Sequence, residues 1–237
     1  MDRISSILNL RNNCDISNIL LTKIEEITTN IKLDESENFE IELKFGTICD
    51  KHSGVRPHFP VINPMIIDGF PLYFQSEITM SDHKSSNVLL NSIYKTLMSN
   101  NLGIDYKHLL IVDKFFQTPK GKLRLSEENE KSELISKNRI KDFHIYFPNS
   151  KYDIRLSINI ESKIQIMNLD VEKCTHERRK DRISYFIHPV VKVDLSQIVS
   201  DNKQTHELEI EFLNEIDKEK IKFSLNLISI ILNSMGK

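Results

Sequence analysis

Three stretches of this chain set ionisable side chains at every second position. In FEIELKFG, Glu40, Glu42 and Lys44 alternate with Ile41, Leu43 and Phe45. In ELEIEF, Glu207, Glu209 and Glu211 alternate with Leu208, Ile210 and Phe212. Between them, Arg178, Lys180 and Arg182 run into ISYF at the same spacing. Residues two apart on a β-strand share a face, so each stretch presents an ionic row. Carboxylates about 6–7 Å apart along a strand repel one another. A divalent cation, or a facing row of Arg and Lys, relieves that cost. Hard carboxylate oxygens suit Mg²⁺ or Mn²⁺, while guanidinium and ammonium groups suit phosphate. Together the rows could seat a metal on acidic groups and a polyanion on basic ones.

The rest of the chain supplies strands to carry them. Asp153, Arg155, Ser157, Asn159 and Glu161 share one face, with Ile154, Leu156, Ile158 and Ile160 opposite. Lys192, Asp194 and Ser196 share a face, as do Lys122 with Arg124 and Lys137 with Arg139. Any one such strand is ordinarily the solvated side of a half-buried antiparallel sheet. The order across strands is not ordinary: acids lie at both ends of the series and bases between. From 109 to 212 the chain reads as repeated short strands, LLIVDKFF, KLRLS, ELISKNRI, DFHIYF, YDIRLSINIE, DRISYFI, VVKVDLSQI and THELEIEF. A sheet closed into a barrel brings its first and last strands together. The expected class is therefore mainly β (α+β). It is a closed antiparallel barrel with a charged interior and flanking helices at the N-terminus, the middle and the C-terminus.

Helical spacing is expected over 1–33, capped by Asp15 or Ser17, and again from Ser81/Asp82 to about Leu97 and over the last 24 residues. The first helix reads as a barrel cover more readily than as a partner surface. Residues 50–72, with four Pro, read as irregular with short strands. No repeat or domain boundary is visible, so 1–237 reads as one domain: a helical segment 1–36, a tunnel 37–212 and a helix 213–237.

The 237 residues carry 32 Lys+Arg against 34 Asp+Glu, a net charge of −2, which excludes bulk-charge coating of nucleic acid but not a local basic tunnel. With 39% hydrophobic and 28% charged residues the chain is a globule. No apolar run is long enough to span a membrane, and no membrane partner is expected. MDRISSILNLRNN lacks a secretory pattern. Cys14, Cys49 and Cys174 are scattered and read as reduced thiols. There is no Gly-rich nucleotide loop and no H-C-x5-R signature. The His residues, His206 included, and Phe115, Phe116, Tyr185 and Phe186 read as structural.

In this order the motifs resemble the triphosphate tunnel metalloenzyme superfamily, and more closely its fungal and protozoal RNA triphosphatases, the β subunits of the mRNA capping apparatus. The resemblance covers about residues 37–212. Glu40 to Gly46 resembles that family's first metal-binding strand and Glu207 to Glu211 its last. Arg178-x-Lys180-x-Arg182-Ile-Ser-Tyr is similar to its R-x-K-x-R-(I/V)-S-Y strand. Asp153 to Glu161 is similar to the strand bearing its catalytic glutamate, and Asp194-Leu-Ser196 to its D-x-(S/T) element.

The resemblance implies that Glu40, Glu42 and Glu211 bind Mg²⁺ or Mn²⁺, and that Glu161 orients the attacking water. It implies that Arg124, Lys180 and Arg182 contact the γ-phosphate, with Glu209 holding metal-bound water or a tunnel base. Lys44, Lys137, Arg155 and Arg178 support the triphosphate and the ionic network. Asp194, Ser196 and Glu207 stand behind them. The implied activity is that of a divalent-cation-dependent polynucleotide 5′-phosphatase, acting in the nucleus on the 5′-triphosphate end of nascent RNA, and on NTPs. The implied partners are the mRNA guanylyltransferase and a second copy of the chain. The chain has no Trp and almost no N-terminal extension, so the Trp-containing docking segment of several relatives does not carry over. The rivals are a tripolyphosphatase or thiamine-triphosphatase of the same superfamily, and a non-catalytic module that binds polyphosphate or RNA ends.

Overall fold

A computed structural model describes residues 16–118, 121–129, 131–165 and 174–236. The first half of the predicted N-terminal helix, residues 1–15, lies outside them, as does Cys14. The elements are α1 (Ser17–Thr28), β1 (Glu37–Asp50), β2 (Met65–Ile67), β3 (Leu72–Gln75), α2 (Met80–Ser99), β4 (Ile104–Thr118), β5 (Gly121–Glu128), β6 (Lys131–Tyr146), β7 (Asp153–Ile164), β8 (His176–Ile187), β9 (Val191–Ser200), β10 (Lys203–Phe212) and α3 (Lys218–Ser234).

Eight strands close an antiparallel barrel in the order β10-β9-β8-β4-β5-β6-β7-β1, and β1 pairs with β10 to complete it. β3 adds to β1, and β2 to β6. The alternation decides which way the sheet curls. Leu43, Phe45, Ile154, Leu156, Ile158, Val193, Leu195, Leu208 and Ile210 point outward and are covered by the helices. Leu20 and Ile24 of α1, Leu90, Ile93 and Leu97 of α2, and Ile221, Leu225 and Ile228 of α3 complete that core. Each fully buried aliphatic side chain contributes about 1.5–3 kcal/mol. The hydrophobic core therefore lies outside the barrel, and the ionic rows turn inward.

Three local expectations change. α1 starts from Ile16 with no side-chain cap, because Ser17 is buried in the helix instead of ending it. α2 is capped by Thr79, whose Oγ1 accepts from the Asp82 N–H. Asp82 sits one turn in, where its carboxylate accepts from Tyr152, Thr79 and Lys151. ELISKNRI and DFHIYF form one strand, β6, with a bulge between Arg139 and Lys141. The bulge resets the parity, so that Asp142 meets the inward-facing Ser157.

Gly46 has a steric reason. A Cβ there would fall 2.2 Å from the Gln75 carbonyl oxygen and 2.6 Å from the Phe74 ring. β3 runs against β1 at this point, and Phe74 stacks on His144 and covers Arg155.

Candidate active site

The seam between β1 and β10 sets the acidic wall. Its register places Glu42 opposite Glu211 and Lys44 opposite Glu209. Barrel strands are tilted, so side chains at one level come from staggered positions. Following the registers around the barrel, one tier carries Glu40, Glu161, Arg182, Asp194 and Glu211. The next carries Glu42, Lys137, Arg124, Asp113, Lys180 and Glu209. The third carries Lys44, Arg139, Lys122, Phe115, Arg178 and Glu207. These rows line a cavity of about 920 Å³.

The ion pairs follow the tiers. Lys44 Nζ meets Glu207 at 2.8 Å and Glu209 at 2.5 Å. Arg182 meets Asp194 at 2.9 Å and Glu209 at 3.6 Å, and its Nε donates to Ser196. Lys192 joins Glu211 at 2.5 Å to Asp194 at 3.5 Å. Arg124 lies 3.5 Å from Glu161. Lys137 bridges Glu40 and Glu42, the latter at 3.3 Å.

Burial opposes ionisation of Glu209, but Lys44, Arg182 and Lys180 hold it well below the usual carboxylate range. Glu40 and Glu42 go the other way. Burial raises both, and neighbouring carboxylates add to it, Glu161 and Glu211 at Glu40 and Glu209 at Glu42; Lys137 offsets only part of this. The Glu40–Glu42 part of the acidic wall is therefore held against full ionisation. On the basic wall, burial pulls the Lys180 ammonium down to about 7, with Arg178, Arg182 and Arg124 pulling the same way.

Of the residues expected at the site, all line this one cavity except Ser196, which sits behind Arg182. Asp113 was missed. It is 1% exposed and pairs with Lys180 at 2.6 Å and Arg178 at 2.8 Å, and Ser126 donates to it. Those cations outweigh burial and keep its carboxyl far below its ordinary value. Its stretch, LLIVDKFF, reads as apolar, and its inward face shows only once β4 is paired with β8, which sets Asp113 opposite Arg178. Lys192 was placed on the ionic face but not in the site. Phe115 also differs from expectation, since it lines the cavity, whereas Phe116 and Tyr185 are core.

Among the described residues no three His, Cys, Asp or Glu side chains already converge as a metal cage. The donor chemistry nevertheless fits a hard divalent ion. Glu40, Glu42 and Glu211 offer only oxygen ligands. Beside them the buried Glu161 Oε1 has no hydrogen-bond partner.

The family model described as mRNA capping enzyme, beta chain, matches residues 16–224. The mRNA-capping enzyme subunit beta of Schizosaccharomyces pombe is 34% identical over 196 residues, covering 76% of this chain and 64% of that protein. The corresponding Candida albicans subunit is 31% identical over 202 residues, covering 77% and 38%. The chain thus spans less than two thirds of the length of these curated relatives. Structures of S. pombe Pct1 RNA triphosphatase, alone and in complex with the Spt5 CTD, align with TM-scores of 0.83 and 0.84 at 27% and 26% identity. Each covers 97% of this chain, and this chain covers 96% and 98% of theirs.

Proposed function

The chain belongs to the mRNA capping enzyme β-chain family, and on that footing we propose that it is a metal-dependent RNA 5′-triphosphatase. It removes the γ-phosphate from triphosphate-ended pre-mRNA and leaves a 5′-diphosphate end, the first step of cap formation. The observation that carries this reading is the β1–β10 seam, which sets two Glu rows on one wall facing Arg and Lys.

Phosphoryl transfer needs in-line geometry and neutralised charge on the transferred group. Arg124, Lys180 and Arg182 supply that charge from fixed strand positions, at little reorganisation cost. Glu161 accepts a hydrogen bond from the attacking water and aims it. Asp194 and Ser196 hold the Arg182 guanidinium in place, and Glu207 with Glu209 hold Lys44. Lys137, Arg155 and Arg178 complete the triphosphate cradle. Held by Glu40, Glu42 and Glu211, Mg²⁺ or Mn²⁺ supplies Lewis acidity at the phosphate oxygens. The guanylyltransferase as receiver of the diphosphate end, a homodimer and a nuclear site of action belong to the same reading.

The test is phosphate release from γ-labelled triphosphate-ended RNA with Mg²⁺. Release is expected, with activity lost in Glu42→Ala and Glu209→Ala variants that keep their circular dichroism. No release by the purified protein ends the enzyme reading. A large kcat/KM preference for tripolyphosphate over RNA ends moves the assignment to the tripolyphosphatase branch.

A further inference from the structure

The tunnel is electrically polar along its axis. The tier of Glu40 itself holds four carboxylates (Glu40, Glu161, Asp194 and Glu211) and one guanidinium, Arg182. Lys192 reaches Glu211 and Asp194 from beyond it, and Lys137 and Arg124 reach Glu40 and Glu161 from the next tier. Two tiers on, four cations (Lys44, Lys122, Arg139 and Arg178) face the single carboxylate of Glu207. The tier between them is balanced. Beyond the acidic tier lie Glu128, Glu133, Lys131 and Lys192, with Lys163 tied to Glu133 at 3.0 Å, so that mouth is of mixed charge. Beyond the cationic tier lie His176 and Arg155, the latter 3.8 Å from Asp142, while Lys122 within the tier is exposed and makes no ion pair among the described residues.

Phe115 organises that cationic mouth. Lys122 Nζ lies 4.5 Å from its ring centroid, Arg178 Cζ lies 4.9 Å away, and the His176 ring lies 5.6 Å away. Such contacts hold a cation without neutralising it. Cations already occupy the ring's surroundings, so it is a clamp for charge and not a stacking platform for a base.

We infer that the RNA chain leaves the tunnel through this mouth, where Lys122 and Arg178, clamped on Phe115, form a subsite for the sugar–phosphate backbone behind the triphosphate. This inference rests on the triphosphatase reading. A triphosphate whose terminal phosphate sits at the acidic, metal-facing tier can extend its remaining negative charge in one favourable direction only, toward the cationic tier. The subsite contacts phosphate, so it is indifferent to base sequence. Lys122 and Arg178 are its contact residues and Phe115 is a positioning residue.

The test compares Lys122→Met with Lys131→Met at the opposite mouth, and adds Phe115→Leu. Triphosphate-ended RNA of about ten nucleotides and inorganic tripolyphosphate are the two substrates. Lys122→Met is expected to lower kcat/KM on RNA about tenfold more than on tripolyphosphate. It should also make RNA affinity less salt-dependent, by roughly 0.7 in the slope of log K against log salt. Phe115→Leu should show the same selectivity more weakly. Equal losses on both substrates, or RNA-selective loss in Lys131→Met instead, overturn the subsite while leaving the triphosphatase reading standing. A wild-type protein active on tripolyphosphate but inert on RNA overturns both.

Discussion

Lys180 shows how much one residue owes to its neighbours. It is 6% exposed and flanked by three guanidinium groups, and its ammonium titrates near 7 although Asp113 lies 2.6 Å away. The sign follows directly. In the free protein Lys180 is charged below about 7 and neutral above it, and only the charged form attracts phosphate. Thus kcat/KM on RNA ends is expected to fall as pH rises from about 7 to 8, since that ratio reports the free enzyme. Lys180→Arg carries a charge that does not titrate in this range and should abolish the alkaline limb, read from a pH profile over 6–9. A limb that survives in Lys180→Arg belongs to another group. Residues such as Glu42, Arg182 and Glu209 were legible because they repeat at period two. Asp113 was not, because a single acid in an apolar run carries no pattern until β8 is paired with β4.

At the scale of elements, alternation was legible and irregularity was not. Period two fixed which faces turn inward, because a one-residue slip exchanges the two faces of a strand. The bulge in β6 left no such mark, since Arg139 and Asp142 are both polar and either parity reads plausibly. Thr79 was passed over as a cap because Ser81 and Asp82 are equally good capping types and only the tertiary contacts of Asp82 exclude it. Gly46 ends the first motif because β3 lies against it, which the motif alone does not reveal. Gly46→Ala forces a Cβ into the Gln75 carbonyl. Such overpacking costs about 1–3 kcal/mol, so the melting temperature should drop by roughly 2–10 °C in a domain of this size. An unchanged melting temperature would mean that β3 does not lie there.

At the scale of the whole molecule, a net charge of −2 describes an average over opposed walls. Composition could not show the sorting, because it emerges only when the barrel closes. The opposition to ionisation at Glu40 and Glu42 makes a measurable demand on that closed form. Mg²⁺ at a hundred times its dissociation constant should add about 2.7 kcal/mol of stability if it binds the folded state alone. A rise of roughly 5–10 °C is expected by scanning calorimetry, and Glu42→Ala should remove most of it. No rise with Mg²⁺ or Mn²⁺ would disconnect the Glu rows from metal. The seam that creates the acidic wall also sets a timetable. It consists of pairings between the first barrel strand and the last, and the Lys44–Glu207 bond it frames joins residues 163 apart in sequence. Contacts of such long range are slow to form. The hairpins of the basic wall, β4 with β5, β5 with β6 and β8 with β9, are local and can assemble early. The β4–β8 pairing that joins Asp113 to Arg178 across 65 residues lies between these extremes. Closure of the β1–β10 seam is therefore expected to come last, and a chain truncated before β10 should lack the acidic wall while keeping the local hairpins.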